Sequence, residues 1–362
     1  MRFLESLTNA DYSLATTEAN RQFIARCLEK QSYPPVPLLI ETQGRRFENM
    51  ESILFQAARN NGLQGTAALR KALSIPPGRS LNPKRHAQLS TTLLMNGRSI
   101  SSSVPTVSST RGPLTVELGG HALRYDQLAL SKNRICPMCV AESGYGRSYW
   151  SIAPYAACEL HGVALIDKCD ECNAPVSPSR PDFASCGCGT SFADTKVVSV
   201  SAGARRIAQL LGTRFRFEKV VADHSALGFP NTEMNSLSLN SLIDLVIFLG
   251  ALEPNAKVVR MRKLKGPVTL RVAVPRLERA AKALSNWPMG FYAQLRYARS
   301  FIPRSESLDH VIRSLDHVMS LGILSLHQAE YKFISAELGN FFAKPHEWNE
   351  ARKHAHETGI AR

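Results

Sequence analysis

The sequence predicts a mainly α fold interrupted by one cysteine-rich module, and three observations predict it. Apolar residues recur with a period of about 3.6 on both sides of the module. Seven of the eight cysteines fall between positions 136 and 188. Tight-turn signals at Asn61-Gly62, Pro76-Pro77-Gly78 and Asn96-Gly97 break the N-terminal part into short helices. At 362 residues and 44% hydrophobic, the chain has apolar matter for two or three domains of about 100 to 200 residues each.

Residues 1–48 form a lead segment, with a helix expected over Thr17–Lys30 and an extended stretch at Tyr33-Pro34-Pro35-Val36-Pro37. Asn49 then reads as an N-cap, and Met50, Ile53, Leu54, Ala57 and Ala58 give one apolar helical face. A second helix is expected over Thr66–Leu73, and a third begins at Asn82-Pro83. Three short helices joined by tight turns are the grammar of a helix-turn-helix unit, although a plain helical bundle has the same pattern. Lys84 and Arg85 at the start of the third helix are placed for phosphate contact. The run from Ser99 to Ser109, with six serines and a proline, reads as a linker or exposed loop.

The cysteines and one histidine divide by spacing into two sets of four. The first is Cys136-x2-Cys139-x18-Cys158-x2-His161 and the second is Cys169-x2-Cys172-x13-Cys186-x1-Cys188. A two-residue spacing lets two thiolates on one short turn reach one ion, and a distant pair closes the tetrahedron. Two structural Zn2+ ions are therefore expected, since a catalytic zinc leaves a coordination position open for water and each set of four is complete. Disulfides and scattered core cysteines are the alternatives, and a reducing compartment disfavours the first of them. Cys27, alone, reads as a small buried apolar residue. The segment around the ligands has few large aliphatic residues, so metal binding has to supply much of its folding energy, on the order of 10 kcal/mol per ion.

Beyond the ligands the pattern is helical again, with helices expected over Ala202–Leu211 and Leu237–Ala251 and another starting at Pro275. Trp287-Pro288 ends that helix before one carrying Phe291 and Leu295. A short repeat, Ser307–Arg313 and Ser314–Ser320, sets Leu308 and Leu315 a heptad apart and carries His310 and His317, which read as surface histidines. A last helix is expected from about Leu326 to Phe342, and the tail after Pro345 is polar. The domains are thus a lead segment at 1–48, a helix-turn-helix-like domain with its linker at 49–133, a double zinc-finger module at 134–192 and a helical domain at 193–362.

With 44 Lys and Arg against 30 Asp and Glu, the net charge of +14 favours a polyanionic partner, DNA or RNA before an anionic membrane surface. The densest basic run, Lys257, Arg260, Arg262, Lys263 and Lys265, reads either as a phosphate-backbone contact or as a solvated loop. The N-terminus carries no readable secretory signal and no apolar run is long enough to span a bilayer, so the cytoplasm is expected. No G-x4-GK[ST] loop is present, so any ATP dependence belongs to a partner.

One stretch carries a family resemblance. Cys136-Pro137-x-Cys139, then Tyr149-Trp150, then Cys158-x2-His161-Gly162-x2-Leu165-x3-Cys169-x2-Cys172 resembles the signature of the TniQ/TnsD transposition proteins. Glu51-Ser52 with Asn60-Asn61-Gly62, and Ser285-Asn286-Trp287-Pro288-x2-Phe291, are similar to its flanking elements. The resemblance implies an N-terminal helix-turn-helix, two zinc fingers and a C-terminal helical domain, with the same eight ligands and Trp150 as a packing residue between them. It also implies a non-enzymatic adaptor that links a target-recognition module to an AAA+ transposition ATPase of the TnsC or TniB type. Members of this middle length resemble the TniQ proteins of CRISPR-associated transposons, which dimerise and dock on a Cascade complex with its guide RNA. An autonomous sequence-specific DNA-binding zinc protein, either a TnsD-like site reader or a regulator, is the alternative; a zinc enzyme would need an open ligand position. Residues 1–48 extend beyond the family's usual opening, and no role follows for them.

Overall fold

The computed structural model describes residues 38, 40–72, 83–93, 102–109, 115–131, 133–178, 180–219, 227–252, 269–299 and 329–343. The helix expected over Thr17–Lys30, Cys27, the basic run from Lys257 to Lys265, the repeat bearing His310 and His317, and the tail after Pro345 lie outside them. The fold is mainly α, with ten α-helices and one three-stranded sheet among the described residues. It divides into two compact units, Met1–Lys219 with Lys265–Val274, and Val220–Leu264 with Pro275–Arg362. No helix of the described residues is long and apolar enough to cross a membrane.

In the first unit, α1 (Met50–Asn60) starts where the Asn49 side chain accepts from the Ser52 amide at 2.8 Å, and it stops at Asn61, with Gly62 at φ 70° beyond. α2 (Ala67–Ala72) and α3 (Pro83–Leu93) follow, and Pro83 takes the first helical position, where its missing N–H is not needed. Ile53, Leu54, Ala57 and Ala58 of α1 pack with Leu69, Leu89, Leu93 and Val104 in one core. Arg70 of α2 pairs with Glu51 in the first turn of α1, both buried, which fixes the two helices against each other.

The stretch expected to be a linker holds a strand instead. β1 (Thr106–Ser109), β2 (Thr115–Leu118) and β3 (His121–Arg124) form an antiparallel meander in that order. Serine weakens the strand signal of β1, but Gly119 and Gly120, at φ 65° and 84°, make the two-residue turn that joins β2 to β3. Val116, Leu118 and Leu123 point inward. After the sheet come α4 (Pro137–Ser143), the ligand-bearing turns, and α5 (Ala202–Phe215), whose N-cap Ser201 accepts from the Ala204 amide. α5 runs one turn past the expected Leu211, because Gly212 is accommodated in the helix and Phe215 is fully buried.

The second unit contains α6 (Asn231–Ser236), α7 (Leu239–Gly250), most of α8 (Leu270–Leu284), α9 (Met289–Arg299) and α10 (Lys332–Ala343). α8 begins a turn earlier than expected and carries Pro275 inside it. Thr269 supplies the carbonyl for the Val272 and Ala273 amides and Asp167 accepts from Leu270 at 3.0 Å, so the first turn is satisfied before the proline is reached. α7 is buried along most of its length, and the Arg279 guanidinium of α8 donates to its last carbonyl, Gly250, at 2.9 Å. Trp287 stacks on Phe291 with centroids 5.2 Å apart, and Tyr331 ties the start of α10 to the Ser241 carbonyl of α7 at 2.7 Å.

Candidate functional site

Two four-ligand clusters are assembled from short turns. In the first, Cys136 is the N-cap of α4, its sulfur accepting from the Cys139 amide, and Pro137 opens the helix, so the first pair of thiols shares one helical turn. The second pair lies on a turn closed by the Gly162 amide to the Cys158 carbonyl at 2.9 Å, which needs Gly162 at φ 64°. Paired amides and carbonyls of Ile135 and Ile166, at 3.0 and 2.8 Å, draw the two turns together. The second cluster repeats the plan with Asn173 at φ 56° and Gly189 at φ 92°, each donating back to the first cysteine of its own turn, Cys169 and Cys186.

The distances fit a tetrahedral ion. His161 Nδ1 is 3.5, 3.4 and 3.4 Å from the sulfurs of Cys136, Cys139 and Cys158, and Cys139 and Cys158 are 3.6 Å apart. In the second cluster Cys169 and Cys188 are 3.8 Å apart, and Cys172 and Cys186 3.6 Å. A tetrahedron with bonds of about 2.3 Å to sulfur and about 2.0 Å to nitrogen has edges of roughly 3.5 to 3.8 Å. All ligand atoms of each set lie within 4.8 Å of one another, so each set can hold a metal ion.

The crowding of thiols shows in their acidity. Hydrogen bonds from Cys136 and Cys139 pull Cys158 down to about 2. Hydrogen bonds to Cys139 and Cys158, together with burial, push Cys136 far up, and Cys139 reaches about 12, where the bond from Cys136 is outweighed by Cys158 and by burial. One thiolate forms readily and the next ones only against repulsion, which a dication relieves. In the second cluster the Thr190 hydroxyl and amide lower Cys188 to about 6.

Several residues outside the ligand sets hold them, and most were silent in the sequence. Glu142, one residue before the end of α4, accepts from His161 Nε2 at 2.9 Å through either oxygen. The Arg147 guanidinium donates to the Tyr145 hydroxyl at 3.2 Å; burial works against its charge, but the neighbouring Tyr149, Tyr145 and Cys139 outweigh it and keep it charged. Arg205 of α5 donates to the Glu159 and Leu160 carbonyls at 2.9 and 2.7 Å, clamping the Cys158–His161 turn. Glu159 in that turn bonds Tyr149 at 2.9 Å and Arg216 at 2.5 Å; burial raises its pKa while Arg216 opposes the rise. Arg134, which burial lowers to about 10, donates to the Ile152, Ala153 and Tyr155 carbonyls. Near the second cluster, Arg180 sits over the Phe55 and Phe183 rings at 4.6 and 5.1 Å and donates to the Ser177 and Phe183 carbonyls. An arginine that cages carbonyls has no spacing rule, so only three-dimensional contacts reveal it. Trp150 is fully buried.

Of the residues expected to touch nucleic acid, Lys84 and Arg85 fall in the first turn of α3. Lys257, Arg260, Arg262, Lys263 and Lys265 are outside the described residues. No curated protein matches the chain. The family model described as TniQ matches residues 44–165, from the approach to α1 through α1–α3, the sheet and the whole first ligand set, ending before Cys169. The chain carries a TniQ-family domain.

Proposed function

We propose that this protein is a zinc-stabilised target-selection adaptor of transposition. A TniQ domain implies a transposition-associated role in DNA binding or target selection, and that match is the single observation that carries the reading. The finer proposal is that the chain links a target-recognition module, including an RNA-guided Cascade complex, to an AAA+ regulator of the TnsC or TniB type, acting in the cytoplasm and binding DNA through backbone charge. Zn2+ is the ion of choice for both clusters, because thiolate-rich tetrahedral sets, one of three cysteines with a histidine and one of four cysteines, are those of structural zinc. The eight ligands are Cys136, Cys139, Cys158 and His161, then Cys169, Cys172, Cys186 and Cys188. Their work is to fix turns: four ligands per ion leave no position for a reacting water, which supports an adaptor over a zinc hydrolase.

The test uses the purified full chain. Elemental analysis should return two zincs per chain. Binding to random duplex DNA should be salt-sensitive and sequence-blind, and an AAA+ regulator from a TniQ-containing transposon should co-purify with the chain. A preference for one site of about a thousandfold or more over random DNA would replace the adaptor by an autonomous site reader. Two zincs with neither DNA nor ATPase binding would sink both readings.

A further inference from the structure

Just before α1 the chain is strapped to the segment that follows α4. The Ser148 amide donates to the Phe47 carbonyl and the Asn49 amide to the Gly146 carbonyl, each at 2.8 Å, with Glu48 and Arg147 opposite each other. This strap brings Arg45 beside Tyr145, about a hundred positions away in sequence, with Arg46 next to it in the chain. The Arg45 guanidinium lies 4.5 Å from the Tyr145 ring centroid and that of Arg147 5.1 Å, so one ring is shared by two cations. Arg46 rests over the Phe47 ring at 4.6 Å.

Among the described residues no carboxylate pairs with the exposed cations of this surface. Arg45 and Arg46 are exposed, and neither has a carboxylate partner among the described residues. The acid closest in sequence, Glu48, is buried and occupied by the Arg45 amide and the Ser52 hydroxyl. Glu142, near Tyr145 in sequence, is engaged by His161. Arg45 also donates to the Ser143 carbonyl at 3.4 Å, so its side chain is held in place before any ligand arrives. Stacked and hydrogen-bonded arginines lose less rotamer freedom on binding, and like charges gathered without a counter-acid are a field for a polyanion.

We propose that Arg45, Arg46 and Tyr145 form a contact for the sugar–phosphate backbone of duplex DNA, set beside the first ligand cluster. The proposal rests on the reading of the chain as a DNA-associated adaptor and names the surface that reading lacks. Arg147 steadies the ring, since it donates to the Tyr145 hydroxyl at 3.2 Å and is itself held opposite Glu48 by the strap. Arg147 thereby helps set the position of the ring on which Arg45 stacks.

The test compares full-length wild type with R45Q/R46Q, which removes both charges and keeps a shorter polar side chain, and with R45K/R46K, which keeps the charges. Binding to a random-sequence duplex is measured over a salt titration, with zinc content as the check of folding. At about 0.9 per neutralised phosphate, the slope of log K against log salt should flatten by about 1.8 in R45Q/R46Q and remain in R45K/R46K. If R45Q/R46Q keeps two zincs and the wild-type slope, the surface is not a DNA contact, although the adaptor reading stands. The same holds if only association with an AAA+ regulator is lost, which would give the patch to an acidic protein face. If R45Q/R46Q loses its zinc, the single-charge variants R45K/R46Q and R45Q/R46K decide in its place, each expected to lose about half the effect, and a wild-type slope in both overturns the contact. A wild-type chain that binds no duplex at all overturns this surface together with the DNA contact proposed above.

Discussion

His161 presents its two ring nitrogens to two different tasks: Nδ1 faces three sulfurs at 3.4 to 3.5 Å, and Nε2 meets the Glu142 carboxylate at 2.9 Å. This fixes the tautomer, with the proton on Nε2 and the lone pair on Nδ1, and it makes Glu142 an orienting partner that raises the basicity of the ligand nitrogen. E142A should therefore weaken metal binding at the first cluster by about 10- to 100-fold, with the second cluster unchanged. Competition against a chromophoric chelator reads both sites in one titration. Equal affinities in E142A and wild type would reduce Glu142 to a surface acid.

The two clusters differ in shelter, which sets the order in which they lose metal. Cys136, Cys139 and Cys158 are buried, whereas Cys172 and Cys188 are exposed. A chelator reaches the second cluster through those sulfurs, so release should occur in two phases of one equivalent each, with the four-cysteine site emptying first. C188S should abolish the fast phase and leave the slow one. Loss of the second equivalent should unfold the first unit's ligand turns, because apparent folding energies on the order of 10 kcal/mol accompany structural zinc. A single phase releasing both ions would remove the distinction.

The two four-residue clusters were legible from spacing alone because chelation imposes a short-range rule, one or two residues between ligands on one turn, that leaves a mark in the sequence. The α1 face was legible for a similar reason, since Asn49 caps it and Ile53, Leu54, Ala57 and Ala58 keep its period. What the sequence hid depends on pairing at a distance. β1 is half serine, so its partner β2 is what makes it a strand, although Gly119-Gly120 between Leu118 and His121 was a hairpin signal that alternation at Val116, Leu118 and Leu123 supports. Glu142, Arg147 and Arg205 act through contacts 19 to 46 residues apart, or across a packed turn, and no local pattern marks them.

Gly119 illustrates how closely that hairpin is fitted. A Cβ there would lie 2.3 Å from the Phe215 ring, and the residue sits at φ 65°. The ring cannot yield easily, since Phe215 is fully buried and packs against Phe47 and Tyr149 with centroids 5.5 and 5.7 Å apart. G119A should combine left-handed strain with overpacking and cost at least about 2 kcal/mol of stability, measured by denaturant unfolding of the zinc-loaded chain. G144A is the contrast: Gly144 has a similar φ of 68° with nothing within 4 Å, so only the strain of about 1 kcal/mol should remain. Equal losses in the two variants would mean that the Phe215 contact is not tight.

His121 gives the first unit a pH-dependent part of its stability. Its ring stacks on Phe217 with centroids 4.2 Å apart and planes 8° from parallel, and Nε2 lies 2.9 Å from the Phe215 carbonyl. Burial lowers its pKa below the ordinary 6.5, with the carbonyl opposing the shift in part. Because the folded pKa is depressed, the unfolded chain binds the proton more readily. The contribution of His121 is therefore complete above pH 6.5 and is lost as the pH falls from there through the lowered folded value. H121F keeps a stacking ring and removes the titration, so the difference in unfolding free energy between wild type and H121F should change across that interval and be flat above pH 7, a bound taken about half a unit over the unfolded value. Measuring both chains by denaturant unfolding at a series of pH values cancels the other titrating groups, and parallel curves would show that His121 is solvated in solution.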